Sequence, residues 1–185
     1  MAIVITAIIV FMILGVIGYV VGIYNALVQV SNNVDKAWAN IDVLLKQRHD
    51  ELPKLIETCK AYMKHEKTLL EDLTKARTEF LNSSTIEAKT KAENSIQQSL
   101  KSVFAVSENY PDLKANQNFL QLQSRISELE NQISDRREFF NESVNIYNIQ
   151  IEQFPDFILA NNMKYAKKTL LSISKTDIAD VEMKF

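Results

Sequence analysis

After Gly22 this chain contains no glycine. Its three glycines are Gly15, Gly18 and Gly22, and its three prolines are Pro53, Pro111 and Pro155. Tight hairpins, short strand-to-helix loops and phosphate cradles depend on glycine for positive φ or close backbone approach. Residues 23–185 are therefore expected to be long helices with few breaks, and no Gly-rich phosphate loop is available to them.

Charge is just as unevenly placed. Residues 1–34 carry none, and all 21 Lys and Arg and all 23 Asp and Glu follow from Asp35 onward. Residues 2–24 read AIVITAIIVFMILGVIGYVVGIY. At 1.5 Å per residue that is about 35 Å of helix, enough to cross a hydrocarbon core of ~30 Å. A cleaved signal peptide would show a basic start, a shorter apolar core and a small-residue cleavage site. None of these is present, so a retained single-pass anchor is expected. Lys36, Lys46, Arg48 and Lys54 follow the span. By the positive-inside rule they place the N-terminus outside and the remaining chain in the cytoplasm.

Gly15, Gly18 and Gly22 fall on one face of the anchor. Gly18-x-x-x-Gly22 is a spacing that lets membrane helices approach closely, although glycine is also simply common in such helices.

Beyond the anchor, Val34, Trp38, Ile41, Leu45, Leu52, Leu55, Cys59, Tyr62, Leu69, Leu73, Ala76 and Phe80 alternate in steps of four and three. Arg48 and Glu66 are the off-type positions. A heptad pattern of this length signals a long helix packed on helices, with Pro53 loosening it locally. Ser31-Asn32-Asn33 holds no breaker, so one rod from the membrane to about residue 81 is expected. Ser84 with Glu87 fits a capping box for a second helix ending near Ser107. Asp112 is the expected N-cap of a third helix, 113–153, closed by Phe154-Pro155. A short fourth helix is expected within 156–171.

The fold class is thus all-α: a transmembrane helix continuous with an up-down, coiled-coil-like bundle of three long helices plus a short fourth. The expected division is 1–33 anchor and link, 34–171 bundle, 172–185 tail. In this topology the second helix is too short to cover the membrane-proximal stem. Trp38, Ile41, Leu45 and Leu52 are then left bare, and other copies of the chain are expected to cover them.

The residues offer little for catalysis. His65-Glu66 lacks the second histidine of a zinc H-E-x-x-H site, because position 69 is Leu. His49 lies on another part of the helix surface, and both histidines are read as solvated or bundle-flanking. Cys59, on the seam, reads as a buried core residue. Arg48 and Glu66 either fix helix register or are rotated to the surface. No metal, cofactor or small-molecule substrate is expected. A net charge of −2 offers no field for nucleic acid. Lys164, Lys167 and Lys168 are fewer than a lipid-binding cluster usually holds. The turn Tyr110-Pro111-Asp112 is either a rigid capped connector or a docking surface for another membrane protein.

Several runs together resemble the LemA family: Tyr24-Asn25-x-Leu27-Val28, Ala37-Trp38-x-x-Ile41-Asp42-Val43-x-Leu45, Arg48-x-Asp50-x-x-Pro53-x-Leu55, Lys60-x-Tyr62-x-x-His65-Glu66 and Ala76-Arg77. The most specific is Glu108-Asn109-Tyr110-Pro111-Asp112-Leu113-Lys114-Ala115-Asn116 with Phe119 and Leu122. Arg137-x-x-x-Asn141, Tyr147-Asn148 and Phe154-Pro155 with Ala160 complete it. Phe140 stands where the family commonly has Tyr. The resemblance implies a bacterial single-pass protein of the inner membrane with a helical bundle domain, and suggests a role in organising or shaping membranes. The function expected is therefore a non-enzymatic, self-assembling scaffold on membrane lipid. The alternative is an adaptor that docks a protease or transporter.

Overall fold

In a computed structural model of the chain the described residues are 1–171. The expected tail, 172–185, lies outside them. Six helices follow in order: α1 Ala2–Tyr62, α2 Lys67–Asn82, α3 Ile86–Ser107, α4 Pro111–Lys114, α5 Gln117–Glu152 and α6 Asp156–Asn162. There is no strand among the described residues. The all-helical fold expected from the missing glycines is what forms, and the apolar N-terminal helix runs without interruption into bundle sequence. The described residues make two compact units. An anchor unit comprises Met1–Asn40 with Glu138–Leu170, and a bundle unit comprises Ile41–Arg137 with Leu171.

The bundle unit is an up-down arrangement of four helical segments. Phe80 of α2 stacks on His49 of α1, so α2 runs back along α1. Helix α3 then runs parallel to α1, because Lys89 pairs with Asp42 while Glu93 pairs with Arg48. Helix α5 returns antiparallel: Asn116, just before it, bonds to Tyr62, and Glu130 pairs with Arg48. Ile41, Leu45, Leu52, Leu55 and Cys59 of α1 are buried against these partners.

The first helix therefore does not reach residue 81. It ends at Tyr62, and Met63–Glu66 form a turn without glycine. The seam shifts by one residue across that turn and returns to the expected positions at Leu73, Ala76 and Phe80. Met63 and Leu70 are buried, whereas Tyr62 is exposed and Leu69 half-buried. This turn brings α2 back beside the stem and corrects the expectation of a bare one. Ile41 and Leu45 are 1 % exposed and Leu52 0 % within the single chain, so no second chain is needed to cover them. Trp38 belongs to the anchor unit, where it is half-buried and edge-on to Phe140.

The helix starts also move. Thr85, not Ser84, caps α3: its backbone is extended and its Oγ1 accepts from the Ala88 N–H at 3.2 Å. The expected third helix is divided. Asp112 lies inside the single turn α4, and Asn116 Oδ1 caps α5 by accepting from the Phe119 N–H at 3.1 Å. A side-chain oxygen at that position satisfies one of the otherwise orphaned N–H groups of the first turn.

In the anchor unit, α5 lies antiparallel to α1, with the Trp38 and Phe140 ring centroids 5.9 Å apart. Val144 and Ile151 lie as far beyond Phe140 as Val34 and Leu27 lie before Trp38, and all four are buried. Helix α6 is short, and residues 163–171 are not helical. The fourth helix thus stops at Asn162, where Lys164 adopts positive φ (58°) and the Tyr165 N–H bonds back to Ala160 O. Residues 1–22 are exposed throughout.

Candidate functional site

The bundle unit encloses a polar cluster that the heptad pattern conceals. Arg48, His49 and Glu93 are each 1 % exposed. The two Arg48 Nη groups divide their ion pairs, Nη2 with Glu93 and Nη1 with the partly exposed Glu130. His49 Nε2 lies 2.7 Å from the second oxygen of Glu93. Arg77 Nε donates to the backbone carbonyl of His49 at 3.1 Å. The His49 ring stacks on Phe80 at 3.9 Å between centroids, and Lys89 lies over the other partner of that stack, Phe80, at 5.4 Å.

Burial, followed by the Arg48 and Arg77 charges, pushes the His49 pKa down to about 3. The ring is therefore neutral at physiological pH and donates its Nε2 hydrogen to Glu93. Burial lowers the Arg48 pKa, and the Glu130 carboxylate opposes that shift. The cluster thus holds a guanidinium, its balancing carboxylates and a neutral imidazole. Of the two expectations for His49, solvated or bundle-flanking, the solvated one fails, because the side chain is 1 % exposed. Helix α1 is contacted by three neighbours, so its buried face is wider than one seam: Arg48 with His49 and Leu55 with Ile56 are buried as adjacent pairs. Glu93 was not legible as a partner, because it lies 44 residues from His49 along the chain.

Arg48 pairs with Glu93 and Glu130 and His49 with Glu93, while Arg48 Nε and His49 Nδ1 are buried without a hydrogen-bond partner. Among the described residues no group of three His, Cys, Asp or Glu is placed to hold a metal. His65 is exposed in the turn after α1. Cys59 is buried, and burial pushes its thiol up to about 11, which keeps it protonated and a poor nucleophile. A surface depression lined by Glu51, Lys54, Glu57, Thr58, Gln121 and Arg125 is open and charged.

The turn singled out from sequence is tied into the bundle unit on both sides. The Tyr110 hydroxyl donates to Glu66 at 3.3 Å, Leu113 is 0 % exposed, and Asn116 bonds to the Tyr62 hydroxyl at 3.0 Å. Pro111 and Asp112 face outward. The turn therefore holds the α1–α2 corner, a structural role that accounts for Tyr110 but not for Pro111 and Asp112. In the anchor, a Cβ added at Gly15, Gly18 or Gly22 would meet nothing within 4 Å, so the glycine face is open. The window of α1 that is long and apolar enough to cross a membrane has no buried residue.

A family model described as the LemA family matches residues 37–185. The chain belongs to the LemA family. It is 28 % identical over 167 residues to a protein named Protein LemA from Metamycoplasma hominis, an alignment covering 88 % of this chain and 74 % of that one.

The LemA-like runs of the sequence can now be given physical roles. Arg48 centres the buried cluster, Tyr62 and Asn116 close one corner, and Tyr110 reaches Glu66 across it. In the anchor unit Asn148 holds the segment after α6 through two bonds to Lys168, its Nδ2 donating to the carbonyl and its Oδ1 accepting from the N–H, both at 2.9 Å. Lys168 Nζ reaches Asp35 at 2.9 Å, and the Tyr147 hydroxyl donates to Ala166 O. These LemA residues hold helices and the segment after α6 in place.

Proposed function

We propose that this LemA-family chain is a non-enzymatic helical scaffold, anchored in a bacterial inner membrane with its N-terminus outside and its bundle in the cytoplasm. Copies associate through the glycine face of the anchor and thereby organise or shape the membrane around them. The observation that carries this reading is the anchor itself: an apolar helix segment unburied by its own chain, with an open face of Gly15, Gly18 and Gly22. Without a hydrophobic drive in lipid, such helices associate where small residues allow close packing. Inside the bundle Arg48 is ion-paired with Glu93 and Glu130, and His49 is bonded to Glu93, which favours a structural role over a catalytic one.

Cysteine crosslinking in native membranes tests the reading. In a Cys59→Ala background, a cysteine at Phe11, on the glycine face, is expected to form dimers far more readily than one at Ile13, on the opposite face. Equal yields at the two positions would contradict self-association through that face. The second reading, an adaptor, is favoured by Pro111 and Asp112 facing outward on a rigidly held turn. It predicts that Pro111→Ala with Asp112→Ala removes a defined co-purifying membrane protein while leaving self-association intact.

A further inference from the structure

Large apolar side chains are exposed in the anchor unit on elements other than the membrane-crossing segment. Phe154 is 81 % exposed, Ile158 50 % and Phe157 39 %. They sit together where α5 ends and α6 begins, and the two phenylalanine rings lie 6.3 Å apart. A cluster of this kind normally marks a surface that meets another apolar phase.

The register of the unit says which phase. Phe154 lies as far beyond Phe140 as Tyr24 lies before Trp38, and Trp38 packs on Phe140. The buried levels between them, Val34 with Val144 and Leu27 with Ile151, keep the two helices in step. Tyr24 is the last residue of the apolar span and the first charge of the chain is Asp35. The exposed cluster therefore stands level with the end of the membrane-crossing segment, about 21 Å from the Trp38–Phe140 contact at 1.5 Å rise per residue.

We propose that the turn at Phe154–Pro155 and the first residues of α6 insert into the membrane interface beside the anchor, with Phe154, Phe157 and Ile158 at the boundary of headgroups and acyl chains. This rests on the reading of residues 2–24 as membrane-spanning. Local charge is compatible with a lipid boundary. The Asp156 carboxylate, between the two phenylalanines, is drawn back to Gln150 Nε2 at 2.9 Å, and Glu152 is paired with Lys167 at 2.7 Å. Lys164 is exposed just after α6, placed for headgroups in the manner of a lysine at an interface. The contact is thus mainly apolar, as in interfacial helices, and does not require anionic lipid. Its consequence is a second point of membrane contact, which fixes the tilt of the anchor unit where a single helix would leave it free.

The test uses full-length protein in phosphatidylcholine nanodiscs, in a Cys59→Ala background, with an environment-sensitive fluorophore on one cysteine at a time. Positions are Phe154→Cys, Val16→Cys within the span and Glu142→Cys on the outer surface of α5. Quenching is read with bromine on the lipid acyl chains and with aqueous iodide. The label at 154 is expected to be quenched by brominated lipid as the label at 16 is, and several-fold less by iodide than the label at 142. If the labels at 16 and 154 are both insensitive to brominated lipid, the anchor reading fails and the inference with it. If 16 responds and 154 is as iodide-accessible as 142, the interfacial contact alone is overturned. Shielding of 154 from both quenchers would mean that protein, either a second copy or another chain, covers the cluster, and would also overturn it.

Discussion

Arg48 and Glu93 form an ion pair in which each side chain is 1 % exposed, in the middle of a bundle cored mainly by apolar side chains. Removing two charges from water costs several kcal/mol per ion, and their attraction offsets this only if both are present. Arg48→Met alone should therefore destabilise the bundle by about 3–5 kcal/mol, because it leaves Glu93 buried without its cation. The double variant Arg48→Met with Glu93→Met should recover most of that loss. Urea denaturation of the two variants against wild type measures it. A double variant as unstable as the single one would mean that the pair positions the helices rather than merely compensating its own desolvation.

The neutral, buried His49 makes a prediction about acid. Its pKa in the folded chain is about 3, against 6.5 for an ordinary histidine. Between those values the unfolded chain binds a proton that the folded chain does not. Stability is therefore fully present above about pH 6.5 and is lost as pH falls toward 3, at up to about 1.4 kcal/mol per pH unit. His49→Gln retains a donor toward Glu93 but cannot titrate. From pH 7 to pH 5 wild type should lose about 2 kcal/mol more than His49→Gln. Denaturation midpoints at the two pH values give the comparison, and parallel losses would place the acid sensitivity elsewhere.

Asn148 is the pin of the anchor unit. Its amide makes both of its bonds to the Lys168 backbone. Asn148→Ala should cost about 1–3 kcal/mol, as two hydrogen bonds are lost and backbone polar groups are left unpaired. The loss should be local. Hydrogen exchange should accelerate across residues 165–170 while α2 and α3 of the bundle unit stay protected. Asn148→Asp, which can still accept from the Lys168 N–H but cannot donate to its carbonyl, should fall between wild type and alanine.

Sequence made the periodic part of this fold readable. Ile41, Leu45, Leu52, Leu55 and Cys59 stand on a strict three-four alternation, and all are buried. The turn after Tyr62 was hidden because Lys64-His65-Glu66-Lys67 holds no glycine or proline and carried the heptad count across the break. What stops the helix there is long-range: Met63 goes into the core, and Glu66 meets Tyr110, 44 residues away. The polar cluster was hidden for the same reason. Arg48 could be seen as a seam residue, but its carboxylates come from two other helices, and no local pattern announces Glu93. The caps were missed by small offsets, Thr85 for Ser84 and Asn116 for Asp112, since several adjacent residues share the chemistry of an N-cap and only the backbone chooses among them.

The anchor is the proposed assembly surface. Sedimentation equilibrium of the full-length chain in density-matched mild detergent gives the protein mass of the particles directly. A single chain weighs 21.2 kDa. Self-association through the glycine face predicts a concentration-dependent mass of two or more chains that falls toward one in Gly18→Leu, with the helical content of the bundle unchanged. A mass of one chain at every concentration, in wild type and variant alike, would contradict it.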